Sequence, residues 1–226
     1  MPASLTGLEM PNTKQLQFLT RVRRGLVNAR DEKAVLSLLE PMGYDRDEIG
    51  EGLALVDVAE REAREADTER AESVAATRTA GQARAKVRQT FIRLAKLART
   101  VFEDGSPEWT RLGLDGRRPN AGPLVLAEAR RFYEALLADP ALLEALAVRR
   151  VTAADAERAV ADVVGAVGAG AVQTAEAGEA QVATAERDTA VEAVAGYWED
   201  FSEVVEVALE DEPQLRETLG MQEAGS

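Results

Sequence analysis

The chain has 226 residues, with 27 basic and 40 acidic side chains, a formal charge of −13, and neither cysteine nor histidine. Without cysteine there is no disulfide, thiolate metal site or cysteine nucleophile. Without histidine there is no Ser-His-Asp triad, imidazole acid–base pair or Glu-x-x-His di-iron ligand set.

The acidic field repels nucleic acid and anionic membranes, so neither is expected as a partner. Lysine is scarce (Lys14, Lys33, Lys86 and Lys96), a bias that fits a GC-rich genome or a salty cytosol. Met1 to Met10 lacks a basic region followed by an apolar stretch, so no secretory signal is expected. The longest apolar run, Ala159 to Ala171, is broken by Asp162 and glycines and falls short of the roughly 20 residues that span a bilayer. These features predict a cytoplasmic protein.

Residues 1–12, with Pro2 and Pro11, are expected to be a loose tail. Asn12 or Thr13 can cap a helix carrying Leu16, Leu19, Val22 and Leu26 at helical spacing, which stops near Asn28–Asp31. A second short helix carries Val35, Leu36, Leu38 and Leu39 and ends at Gly43. Asp45 and Asp47 are placed to cap a long segment from Asp47 to about Phe102, which contains no proline. Ile49, Leu53, Val56 and Ala59 make one apolar stripe of that segment, and Ala83, Val87, Thr90, Leu94, Leu97 and Val101 make another. Between Glu60 and Ala80 the apolar residues are nearly all alanine. Trp109, Leu112 and Leu114 form a short apolar return, and 115–123 is the clearest linker. A helix with Phe132 and Tyr133 follows, then a short helix opened by Asp139-Pro140. A second long segment then runs from Thr152 to about Glu210, and 222–226 is expected to fray. The second long segment repeats the stripes as Ala156, Val160, Val163 and Val167, then Ala190, Val194, Tyr197, Phe201, Val204 and Ala208.

The sequence is written twice. Leu112-Gly113-Leu114 returns as Leu219-Gly220-Met221, an offset of 107 (219 − 112). The same offset carries Phe91 onto Trp198, Leu94 onto Phe201, Val87 onto Val194, Glu103-Asp104 onto Glu210-Asp211 and Ala76-Thr77 onto Ala183-Thr184. Two repeat units, 15–114 and 122–221, are therefore expected to share one pseudo-twofold domain. Each long segment is either a single helix, roughly 80 Å at 1.5 Å per residue, or a helical hairpin in a four-helix bundle. Charge favours the hairpin, since 45–72 is acid-rich and 84–99 basic. The first segment, however, offers only Asp67-Thr68 and Ser73 as turn chemistry before Gly81. Exposed ion pairs are worth only about 0–1 kcal/mol each, so the missing turn favours continuous helices, with the hairpin kept as the alternative. The expected fold is all-α: two long antiparallel segments, coiled-coil-like or bundled, with about four short helices and the Ala-Thr sites meeting at the pseudo-twofold point.

Glutamate pairs at i, i+3 (Glu48/Glu51, Glu62/Glu65, Glu69/Glu72, Glu176/Glu179 and Glu203/Glu206) place two carboxylates on one helix face, as all-helical magnesium-dependent nucleoside polyphosphate hydrolases require. They are scattered without an apolar wall or phosphate-binding lysine, so a solvated acidic face accounts for them better. The glycines Gly165, Gly168 and Gly170 follow no strand and precede no Gly-Lys-Ser/Thr, so they are no phosphate cradle. Gly113 and Gly220 suit positive φ.

Tyr197, Trp198 and Phe201 coincide with a core stripe and are expected to pack. The basic stripe contains Arg84, Arg88, Lys96 and Arg99. Its +107 counterpart carries Glu192, Glu199, Asp200, Glu203 and Glu206. Opposite charge on equivalent surfaces points to pairing between copies or between subunits. Trp109 is expected to dock on an end of the helices, where a peptide groove is the alternative. Arg84, Arg88, Lys96, Arg99 and Trp109 are thus the candidate interaction residues; no catalytic, metal or cofactor-binding residue is expected.

The Ala-Thr of each long segment, the Phe132-Tyr133 helix and the Leu-Gly-Leu/Met ends together resemble an uncharacterised group of bacterial all-helical proteins, over about 15–221. The resemblance implies an internally duplicated helical fold and carries no activity onto named residues. The arginine after Ala76-Thr77 is Arg78, whereas Ala183-Thr184 is followed by Ala185, Glu186 and only then Arg187. The expected function is a non-enzymatic structural or interaction protein that self-associates, as a homodimer or with another protein. The alternatives are the magnesium-dependent hydrolase and an end-lobe peptide adaptor.

Overall fold

The computed structural model describes residues 12–115 and 123–220. The expected tails and the body of the 115–123 linker lie outside these residues. Eight α-helices and no strand occur among the described residues: α1 (Asn12–Asp31), α2 (Lys33–Leu39), α3 (Arg46–Ala98), α4 (Pro107–Arg111), α5 (Pro123–Ala138), α6 (Pro140–Ala147), α7 (Ala153–Ala208) and α8 (Pro213–Thr218). A 3₁₀ turn, Glu40–Met42, follows α2. Both long segments are uninterrupted helices, of 53 and 56 residues. The charge argument for a hairpin therefore loses to the absence of a turn.

Local chemistry explains the boundaries. Gly43 takes φ of 94° after the 3₁₀ turn, a conformation that costs glycine little and other residues more. Asp45 Oδ1 then accepts the amide hydrogens of Asp47 and Glu48 at 2.9 Å each, opening α3. Thr152 and Asp155 form a reciprocal cap on α7: Asp155 N–H donates to Thr152 Oγ1 at 3.3 Å, and Thr152 N–H donates to the Asp155 carboxylate at 3.1 Å. The apolar returns are helical, which raises the short helices from about four to six. Ser106 accepts the Trp109 amide at 3.1 Å ahead of Pro107, and Pro213 opens α8 likewise. Proline has no amide hydrogen to lose at a first helical position. Gly113 and Gly220 end these returns at φ of 60° and 73°.

Two compact units divide the described chain. Unit 1 comprises 12–70 and 179–220, and unit 2 comprises 71–178. The core of unit 1 takes Leu19, Val22 and Leu26 from α1, Val35 and Leu39 from α2, Ile49 and Val56 from α3, Val194 and Phe201 from α7, and Leu219. That of unit 2 takes Val87, Phe91 and Leu94 from α3, Leu112 and Leu114 from the return, Phe132, Tyr133 and Leu136 from α5, Leu142 and Leu146 from α6, and Val163 from α7. Three residues assigned to apolar stripes lie outside the cores. Leu16 is 42% exposed, Leu38 37% and Val167 55%. Each sits on the flank of its helix, where the 100° step carries it past the narrow buried stripe.

Tyr197, Trp198 and Phe201 pack as expected. Tyr197 stacks on Phe201, Tyr44 stands edge-on to Phe201 with 5.2 Å between centroids, and Trp198 lies 5.5 Å from Phe201. Two glycines make room for them. A methyl at Gly25 would meet Trp198 Cη2 at 2.5 Å, and one at Gly52 would meet Tyr197 Cζ at 2.5 Å.

Candidate interaction surface

The carboxy-terminal part of α3 lies in unit 2 and has two faces. Val87, Phe91, Leu94, Ala95 and Ala98 point into the core. Arg88, Arg93, Lys96 and, just past the helix, Arg99 are exposed. Arg93, Lys96 and Arg99 recur every third residue and so form a ridge on one side of the helix.

The candidate cations divide by partner. Arg84 is half-buried and its Nη2 donates to Gln173 Oε1 of α7, while Gln173 Nε2 donates to Thr77 Oγ1 at 3.4 Å. Arg84 also lines an open cleft of about 520 Å³ with Leu126, Val167, Gly170 and Gln173. The neighbouring Lys86 pairs with Asp162 of α7 at 2.7 Å. Arg99 donates to the Leu114 carbonyl at 3.0 Å and lies over the Trp109 ring, 5.6 Å from its centroid. The structure thus brings Arg99 and Trp109 together, with the indole half-buried against the unit 2 core. A cation over an indole face is worth about 0.5–1 kcal/mol at such an exposed site, which holds the corner after α3 in place. Arg88 and Lys96 make no salt bridge among the described residues.

In unit 1 the carboxy-terminal part of α7 shows the opposite character. Val191, Val194, Phe201 and Val205 point inward. Glu192, Glu199, Asp200, Glu203 and Glu206 are exposed, and Glu206 lies 4.0 Å from Arg216. The half-buried Arg23 bridges Asp57 at 2.5 Å and Glu60 at 3.0 Å.

The imbalance extends through each unit. The sequence of 1–70 and 179–226 holds 12 basic and 27 acidic residues, a formal −15, whereas 71–178 holds 15 basic and 13 acidic residues, a formal +2; together these make the −13 of the chain.

Sequence reasoning found the basic ridge but not the groups that hold it. Gln173 and Asp162 lie 89 and 76 residues from their cationic partners, and no local pattern reports a contact at that separation. The buried Gln15, whose Nε2 donates to Asp188 Oδ1 at 3.3 Å, was likewise invisible behind the polar start of α1. Among the described residues no helix is long and apolar enough to cross a membrane. In comparison with known proteins, the chain matches no family model, no curated protein and no solved structure.

Proposed function

We propose that the chain is a non-enzymatic interaction protein that self-associates, built by duplication of one helical module. The observation that carries the reading is the division of charge, −15 over one unit's sequence and +2 over the other's. A uniformly acidic chain keeps its copies apart; one acidic and one near-neutral unit with an exposed basic ridge gives them oppositely charged surfaces to present.

The duplication is supported by how the 107-residue offset treats burial. It pairs Leu19 with Leu126, Val35 with Leu142, Leu39 with Leu146, Val56 with Val163, Val87 with Val194 and Leu112 with Leu219, and all twelve are buried. It also carries the start of α2 onto that of α6 and the start of α3 onto that of α7. Side-chain volumes are exchanged within matched pairs. Unit 1 packs Gly25 against Trp198, and unit 2 packs Phe132 against Phe91 at 5.6 Å in the equivalent places. An antiparallel run of α3 and α7 inside unit 2 is supported by the contacts Thr77–Gln173 and Lys86–Asp162, whose positions rise along one helix as they fall along the other.

Sedimentation velocity over a concentration series tests the reading. Reversible association of the full chain is expected at about 10 mM salt, where charges act over roughly 30 Å. A monomer at every concentration and at the lowest salt would overturn it.

A further inference from the structure

The exposed charges of the two long helices reverse at matched positions. Arg93, Lys96 and Arg99 of the first half stand 107 residues before Asp200, Glu203 and Glu206. All six are exposed. Each trio follows the same three-residue spacing over a core stripe of the same register: Leu94 and Ala98 beneath the basic trio, Phe201 and Val205 beneath the acidic one. Two ridges of equal pitch and opposite sign result, one on each unit. From this complementarity we infer that a second copy of the chain docks its acidic α7 ridge (Glu199, Asp200, Glu203 and Glu206) on the basic α3 ridge (Arg88, Arg93, Lys96 and Arg99).

This inference rests on the self-association proposed above and assigns its surfaces. Several features make the two ridges fit one another better than they fit other partners. The basic ridge is narrow, and the ordered cations beside it are already used: Lys86 by Asp162, Arg84 by Gln173. It therefore offers a short row of charges, not the broad basic field that nucleic acid would need. Arg99 is fixed over Trp109 and on the Leu114 carbonyl, so the end of the row is preorganised. On the acidic side Val207, 64% exposed, lies one turn beyond Glu203 and supplies an apolar contact next to the carboxylates. Like-signed ridges repel, so the arrangement sets which surface meets which.

A charge-swap experiment on the full chain tests the assignment. One variant carries Arg93→Glu and Lys96→Glu, leaving Arg99 and its Trp109 contact intact. The other carries Glu199→Lys and Glu203→Lys. All four positions are exposed, and circular dichroism confirms folding before use. By sedimentation, the wild type is expected to associate at about 10 mM salt and to lose at least about tenfold in association constant near 1 M, where the Debye length is roughly 3 Å. In each variant two of the four charges of one ridge are reversed, so that ridge sums to zero and no longer complements the intact one; each variant alone is expected to be monomeric. An equimolar mixture of the two is expected to associate again, because each copy now offers the sign the other lacks. If either variant alone associates as the wild type does, or the mixture stays monomeric, the ridge assignment is overturned while self-association stands. If the wild type is monomeric throughout, both fall together.

Discussion

Replacing Gly52 by alanine sets two effects of known sign against each other. Gly52 lies inside α3, where alanine is favoured over glycine by about 1 kcal/mol. The residue is buried, however, and a β-carbon there would sit 2.5 Å from Tyr197 Cζ. The ring must move. Moving it endangers the hydrogen bond that Tyr197 donates to the Glu48 carbonyl at 2.9 Å, worth about 1 kcal/mol. It also disturbs the packing of that ring on Phe201 and Tyr44, worth about 0.5–1.5 kcal/mol per ring pair. Overpacking of a filled core costs about 1–3 kcal/mol. The clash therefore exceeds the propensity gain, and Gly52→Ala is expected to destabilise by about 1–3 kcal/mol. Gly165, inside α7 with no atom within 4 Å of a built β-carbon, is the control: Gly165→Ala is expected to stabilise by up to about 1 kcal/mol. The offset supplies a rescue, since Ala159 and Thr90 stand where Gly52 and Tyr197 stand in the other half. Adding Tyr197→Thr should recover at least about 1 kcal/mol relative to additivity. Urea denaturation followed by circular dichroism reads the wild type, the three single variants Gly52→Ala, Gly165→Ala and Tyr197→Thr, and the double variant. Stabilisation by both alanine substitutions, or strict additivity in the double variant, would refute the packing argument.

Three further outcomes are expected. The Tyr133 hydroxyl is buried and has no hydrogen-bond partner among the described residues; Tyr133→Phe should leave stability unchanged or raise it by up to about 2 kcal/mol in urea melts, and a loss above about 1 kcal/mol would contradict this. All three tyrosines are pushed above the ordinary phenol range, chiefly by burial, with Asp162 adding to Tyr133, Glu48 to Tyr197 and Asp200 to Tyr44. A raised folded pKa favours the neutral phenol in the native state. That stability is complete below the unfolded value near pH 10 and is lost as pH rises beyond it; phenolate absorbance should lag behind free tyrosine and appear together with loss of helix, and half-ionisation near pH 10 in the folded protein would count against it. Thr152→Ala removes the side-chain acceptor of the Asp155 amide and one donor to its carboxylate and should cost about 0.5–2 kcal/mol in thermal melts.

Much of the fold could be read from residue types because the signals were local. Proline and glycine positions, Asp45, Thr152 and Asp139-Pro140 mark helix ends by their own backbone preferences, and the structure puts boundaries at those places. The sparse turn chemistry between Glu60 and Ala80, only Asp67-Thr68 and Ser73, agrees with a continuous α3. What failed was the fine edge of each stripe. Leu16, Leu38 and Val167 have the right spacing but lie just off the buried face, and spacing alone does not say how wide a face its neighbours cover. The apolar returns were recognised as apolar but not as helices, because α4 and α8 are too short for periodicity to register. At the interaction surface, the charges of α3 were legible, while the arrangement that keeps Arg84 and Lys86 inward depends on α7 residues far along the chain.

The division of the chain carries a consequence for folding. Unit 2 is one uninterrupted stretch, 71–178, whereas unit 1 needs two separated pieces. A contiguous segment that encloses its own core should fold without the rest. The unit 2 core draws on α5, α6, the return around Leu112 and only those parts of α3 and α7 that lie inside 71–178. The aromatic centre, Phe91, Phe132 and Tyr133, is also complete within it, with centroids 5.5 to 6.3 Å apart. A fragment of 71–178 is therefore expected to be helical and to melt cooperatively. A fragment ending at 70 holds α1, α2 and the start of α3 but lacks Val194, Phe201 and Leu219, and is expected to lose helix. Joining 12–70 to 179–220 through a short flexible loop should restore it, since the joined chain again holds every residue of the unit 1 core. Circular dichroism and amide hydrogen exchange distinguish these proteins. An unfolded 71–178 would mean that the long helices are held by contacts outside the unit, and that the core residues named for it are not sufficient to order it.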